Sequence, residues 1–138
     1  RMARSITQNA KFHAMIADIA AQTSFLGGKT YSEKVWKELL TEQFDTDKKA
    51  MGEPLETPGT LIPSLDGLRM IPIRPSTAEF RRNEGAEYIE YLYMKGCEYG
   101  TIWSEKSLAA YESYAKYREA QPSLEYKEDK AAWKHFYT

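Results

Sequence analysis

From Ser5 to about Gln22 the apolar residues Phe12, Met15, Ile16, Ile19 and Ala20 recur at spacings of three and four. This spacing predicts an amphipathic helix with one buried face. Ser5-Ile6-Thr7-Gln8 reads as its capping box, and Gln8, Lys11, Asp18 and Gln22 fall on its polar side. A Gly27-Gly28 turn leads to a second helix, opened by a capping box at Thr30-x-x-Glu33, with Trp36, Leu39, Leu40 and Phe44 on one face. Two helices joined this closely should pack together. From Asp45 to Gly59 charge and turn formers dominate, including Lys48, Lys49, Gly52, Pro54 and Pro58, and the segment reads as a long surface loop.

The run from Thr60 to Ile73 sets Asp66-Gly67 between two β-prone stretches, a hairpin signal. Pro63 and Pro72 each remove a ladder donor, so these strands should be short or lie at an edge. Ser76-x-x-Glu79 could cap a helix directly, but a strand continuing through Phe80 is the favoured reading. A third helix should follow from about Arg82, with Ala86, Ile89, Leu92 and Tyr93 toward the core and an end near Gly96 or Gly100. Ile102-Trp103 reads as a brief extended segment. Ser104 reads as the N-cap of a fourth helix through Leu108, Tyr111, Ala115 and Arg118, interrupted by Pro122. The pattern therefore predicts a helix-rich α+β domain over residues 1–121 with one small antiparallel hairpin. A tail over 122–138 could form one more short helix, and its Tyr126, Trp133, Phe136 and Tyr137 suit a subunit anchor.

Composition narrows the function classes. A chain of 138 residues is one ordinary domain. Lys plus Arg number 19 against 20 Asp plus Glu, so any polyanion site must be a local patch and not the whole surface. No apolar run is long enough to span a membrane, and the N-terminus lacks the stretch of a secretory signal. Cys97 is the only cysteine, which fits a reducing compartment such as the cytoplasm. The opening Arg1-Met2 reads either as a natural start preceded by one residue or as a fragment of a longer chain.

Catalytic chemistry is thin. His13 and His135 sit at opposite ends, and Cys97 has no neighbour at a zinc-ligand spacing. Gly27-Gly28-Lys29-Thr30 lacks the strand and first glycine of a phosphate-binding loop and reads as a turn followed by an N-cap. Glu84, Glu87 and Glu90 would suit a divalent cation in a small nuclease; the competing reading is a solvated helix face. No metal, no cofactor and no enzymatic activity are expected.

Three blocks carry a resemblance. Arg4-Ser5-x-x-Gln8-Asn9-x-Lys11-x-His13 leads to Ile19-Ala20-x-Gln22; Ser32-x-x-x-Trp36-Lys37 is followed by Phe44. The third block runs through Leu65-Asp66-Gly67, Pro75-Ser76-Thr77 and Glu87-Tyr88-Ile89-Glu90 to Gly100-Thr101-Ile102-Trp103-Ser104. In order and spacing, over roughly Arg4 to Glu105, they resemble the NinB (Orf) family of phage recombination proteins. The resemblance implies a homodimeric, non-enzymatic mediator that binds single-stranded DNA. It also implies contact with the host's single-strand-binding protein and help in loading a RecA-type recombinase. The chain departs from the family in starting almost at the first block, where relatives carry preceding β-strands, and in having Glu79 where some relatives are expected to have a basic residue.

The resemblance places Gln8 and Asn9 at the DNA surface, where amides can bond phosphate, sugar or base edges; helix capping is the competing role for both. Arg4, Lys11, Arg74, Arg81 and Arg82 are the cations a sequence-neutral binder would use. Trp36, Trp103 and the tyrosines are possible stacking platforms, although Trp36 sits on an apolar face and reads as core. His13 reads as structural. A protein-interaction module that never touches DNA is the rival reading, favoured by the balanced charge and the aromatic tail.

Overall fold

Helix α1 (Ile6–Gln22) is the element against which the other described helices, α2 (Glu33–Ala50), α3 (Arg82–Glu98) and α4 (Glu105–Glu119), pack. A computed structural model describes residues 6–25 and 27–120, with the side chains of α1 from Asn9 onward. The Ser5 capping box and the tail therefore lie outside the described residues. The apolar stripe of α1 is buried as its spacing predicts: Phe12, Met15, Ile16 and Ile19 all lie in the core. Around Phe12 the rings of Phe44, Phe80 and Tyr88 interlock, with Phe12 and Phe44 each 5.0 Å from Tyr88. Tyr88 is wholly buried, and its hydroxyl meets the Thr41 hydroxyl at 2.7 Å. Burial pushes the Tyr88 phenol far above its ordinary range and keeps it neutral.

The polar side of α1 does not face solvent alone. Gln22 clasps the backbone of Ile102 in both directions at 2.8 Å. Asp18 accepts from the Ser104 backbone N–H at 2.8 Å and from the Ser107 hydroxyl at 2.6 Å, and Lys11 donates to Ser113 at 2.8 Å. Lys11, Asp18 and Gln22 thus form a polar seam that fixes α4 antiparallel to α1.

Several expectations are corrected. Gly27 and Gly28, with φ of +74° and +82°, turn a second hairpin, in which β1 (Ser24–Phe25) pairs with β2 (Lys29–Thr30). Among the described residues two hairpins are therefore present, not one. Thr30 belongs to that hairpin, and Ser32 caps α2 by accepting from the Val35 N–H at 3.3 Å. The expected loop from Asp45 is helical as far as Ala50, because Asp45 and Lys48 are buried and find partners there. Lys48 pairs with Glu87 at 2.8 Å, and Asp45 accepts from the Gly59 N–H at 3.1 Å. Leu39, expected in the core, is exposed. No strand runs to Phe80; Thr77–Glu79 form a short 3-10 turn capped by Ser76.

The expected Asp66-Gly67 hairpin is present, with β3 (Thr60–Pro63) paired antiparallel to β4 (Met70–Ile73) in the register Thr60↔Ile73 to Pro63↔Met70. Helix α3 starts at Arg82 as expected and ends in a Schellman turn at Gly100, where φ is +77° and Thr101 N–H returns to Gly96 C=O at 2.8 Å. The turn folds Trp103 back over Gly96. Trp103 and Tyr111 flank Tyr93 in a near-parallel stack, with centroid separations from Tyr93 of 5.5 and 3.8 Å. Ser104 caps α4, as its position predicts.

Candidate nucleic-acid interface

Two of the seven sequence-selected residues meet on α4. The Lys11 ammonium, two turns into α1, reaches Ser113. The Arg82 guanidinium, in the first turn of α3, lies 5.8 Å from the Tyr117 ring centroid. Ser113 and Tyr117 are one helical turn apart, so the two cations stand side by side across the C-terminal half of α4. Both remain able to take an anion. An ammonium has three donors, of which Ser113 engages one, and a guanidinium stacked on a ring still offers its edge.

Arg81 adjoins this pair as the N-cap of α3. It is half exposed and pairs with Glu56 at 3.2 Å, a contact that solvent screens heavily. Asn9 lies half-exposed on α1. Arg74 is elsewhere. Its guanidinium bonds Glu38 at 2.8 Å and the Pro75 carbonyl at 2.8 Å, joining the foot of the β3–β4 hairpin to α2. That bond holds the Glu38 carboxyl below its ordinary range. Arg4 and the side chain of Gln8 lie outside the described residues.

The neighbouring carboxylates are each engaged in contacts within the fold. Glu84 is buried and accepts the backbone N–H groups of Glu56 and Arg81, each at 2.8 Å. Glu87 pairs with Lys48, and Glu90 accepts from the Tyr114 hydroxyl at 2.5 Å. The three carboxylates therefore serve three separate contacts. Among the described residues no cluster of His, Cys, Asp and Glu could hold a metal ion. No described helix is long and apolar enough to cross a membrane. Trp36 is core, as expected, and His13 lies exposed with Nδ1 3.1 Å from Glu33.

Sequence reasoning missed Ser113 and Tyr117. They lie more than thirty residues from the nearest candidate cation, and only the antiparallel return of α4 brings them to Lys11 and Arg82. Tyr111, Tyr114 and Tyr117, spaced by three, were the available signal.

A family model described as NinB protein matches residues 1–104. Protein ninB of Salmonella phage P22 is 27% identical over 117 residues, covering 85% of this chain and 72% of the phage protein. Protein ninB of Escherichia phage lambda is 27% identical over 114 residues, covering 83% and 69%. A NinB structure solved by structural genomics superposes with a TM-score of 0.60 at 26% identity, over 78% of this chain and 71% of that one. The match spans all three sequence blocks and the helical frame that carries Lys11 and Arg82, and the chain belongs to the NinB family.

Proposed function

We propose that this protein is a phage-type recombination mediator that binds single-stranded DNA and acts by occupancy, not catalysis. The observation that carries the reading is the juxtaposition of Lys11 and Arg82 across Ser113 and Tyr117 on α4. A sequence-neutral binder needs cations that follow phosphates, and this corner supplies two of them, one lying over the Tyr117 ring. Arg81, next to Arg82 in the chain, extends the patch with a third cation. The patch is small and local, as the balanced overall charge requires.

In this reading the protein acts as a homodimer in the host cytoplasm. It holds exposed strands while contacts with single-strand-binding protein free a stretch on which a RecA-type recombinase nucleates. Preferential occupancy of the strand shifts the competition by mass action, with no bond made or broken. Family membership supports this class of role, and the carboxylates engaged in structural contacts are in keeping with it.

The test is fluorescence anisotropy of a labelled single-stranded oligonucleotide, with duplex competitor, at low and moderate salt. Preference for the single strand, steep weakening with salt and a loss on Lys11→Ala/Arg82→Ala are expected. Absence of binding at tens of micromolar by a folded protein would reject the DNA reading and select the protein-interaction module.

A further inference from the structure

The half of α4 that meets Lys11 and Arg82 lies largely outside the core. The buried residues of α4 are Ser107, Ala110 and Tyr114, and none follows Tyr114. Its N-terminal half is held by Asp18, which accepts from Ser104 N–H and the Ser107 hydroxyl, and by the stack of Tyr111 on Tyr93. Farther along, Ser113 accepts from the Lys11 ammonium at 2.8 Å, and the Tyr117 ring lies under the Arg82 guanidinium at 5.8 Å. Among the described residues neither Lys11 nor Arg82 forms an ion pair, whereas Arg74 and Arg81 both do.

Helix geometry adds a cation that the sequence did not single out. Residues three and four apart are neighbours on a helix, with Cβ atoms about 5–6 Å apart, so Ser113, Lys116 and Tyr117 share one face of α4. Lys116 therefore stands one turn from the serine that receives Lys11 and beside the ring that receives Arg82. Its side chain is 76% exposed, and its partner Glu112, at 3.7 Å, is as open to solvent. A pair so exposed is screened and readily exchanged for another anion. The acidic residues Glu105, Glu112 and Glu119 recur every seven residues and fall along one line of α4, offset from Ser113 by about 100° around the axis.

The chemistry of this face selects its ligand. Three cations within about a helical turn of one another suit a chain of phosphates, which brings one charge per nucleotide; a single carboxylate neutralises only one of them. Ser113 occupies one of the three donors of the Lys11 ammonium and restrains its long, flexible stem, leaving two donors for an anion. The Tyr117 ring covers one face of the Arg82 guanidinium and leaves its edge, the part that meets phosphate oxygens. Cations restrained in advance lose less entropy when a ligand docks.

We propose that Lys116 is a further phosphate-binding residue of this corner, and that Ser113 and Tyr117 are positioning residues that hold Lys11 and Arg82 beside it. The strand then lies across the last two turns of α4, contacted through its backbone. This rests on the single-stranded DNA reading above and deepens it by assigning α4 an active part in binding. Lys116 gives up Glu112 when phosphate arrives, an exchange of one exposed partner for another.

The test is fluorescence anisotropy of a labelled oligothymidylate titrated with the full chain and its variants across salt concentrations. Lys116→Gln should weaken binding about fivefold and lower the log–log salt slope by roughly 0.7, the share of one phosphate contact on a single strand. The Lys116 side chain is exposed, so this variant should keep the wild-type far-UV circular dichroism. Lys29→Gln makes the same charge change in the β1–β2 hairpin, past the C-terminal end of α1, and should leave the slope unchanged. Ser113→Ala and Tyr117→Ala should weaken binding about threefold at an unchanged slope, because every cation is retained. Ser113→Thr and Tyr117→Phe, which keep the hydroxyl and the ring, should restore it. A Lys116 variant that matches Lys29→Gln, a slope lowered by Ser113→Ala or Tyr117→Ala, or no recovery in the conservative variants would overturn the proposal, while binding by the wild type leaves the DNA reading standing. Absence of binding by the wild type overturns the DNA reading, and the role of Lys116 falls with it.

Discussion

Gly96→Ala should destabilise this protein although alanine is the better helix former. A methyl group on Gly96 would lie 2.0 and 2.1 Å from Trp103 Cζ2 and Cη2, far inside van der Waals contact, with a rigid indole as the obstacle. Helix propensity favours alanine by about 1 kcal/mol. Against that, lifting the indole off α3 re-exposes on the order of 100 Å² of apolar surface, about 2.5 kcal/mol, and loosens its stack on Tyr93, worth about 1 kcal/mol. The net loss is about 2–3 kcal/mol, or roughly 10 °C in Tm for a domain of this size. Urea and thermal unfolding followed by circular dichroism would measure it. The cause is isolated by repeating Gly96→Ala in a Trp103→Leu background, where the clash is relieved and the propensity gain should emerge, giving a coupling of about 2 kcal/mol or more. A higher Tm for Gly96→Ala alone, or an equal loss in both backgrounds, would refute the reasoning.

Further predictions concern the interface, the core and pH. Lys11→Ala and Arg82→Ala should each weaken single-stranded DNA binding about fivefold and lower the log–log salt slope by roughly 0.7, measured by anisotropy across salt concentrations. Arg74→Ala should leave that slope unchanged, because Arg74 is engaged with Glu38 at the foot of the β3–β4 hairpin. Thr41→Val should cost about 1–3 kcal/mol by stranding the buried Tyr88 hydroxyl, whereas adding Tyr88→Phe should recover part of the loss in urea titrations. Glu38 has a carboxyl pKa lowered from its ordinary 4.5 by the Arg74 bond, so its stabilisation is complete above 4.5 and disappears as pH falls through the lowered folded value. Glu38→Gln should therefore flatten the stability–pH curve below about pH 4.5, and an unchanged acid limb would exclude this pair as a contributor.

The sequence by itself determined the elements whose cause is local. The i, i+3, i+4 stripe of Phe12, Met15, Ile16 and Ile19 specifies α1, because burial of one face is the dominant stabilisation of such a helix. Asp66-Gly67 specifies the turn of the β3–β4 hairpin, Ser104 the start of α4 and Gly100 the end of α3, each through backbone chemistry confined to a few residues. The family blocks were legible for the same reason, as runs of residues in fixed order. Tertiary structure decided everything that depends on what a side chain meets across the fold. Whether Asp45 and Lys48 would sit in a loop or a helix turned on Gly59 and Glu87, residues distant in sequence. Whether Lys11, Asp18 and Gln22 would face water turned on the return of α4. Of the five candidate arginines and lysines, equal in kind along the chain, Arg74 is drawn into an ion pair with Glu38, whereas Lys11 and Arg82 are gathered on one helix. Charge and spacing cannot encode that choice, because it is set by the packing of α1, α3 and α4 around a shared core.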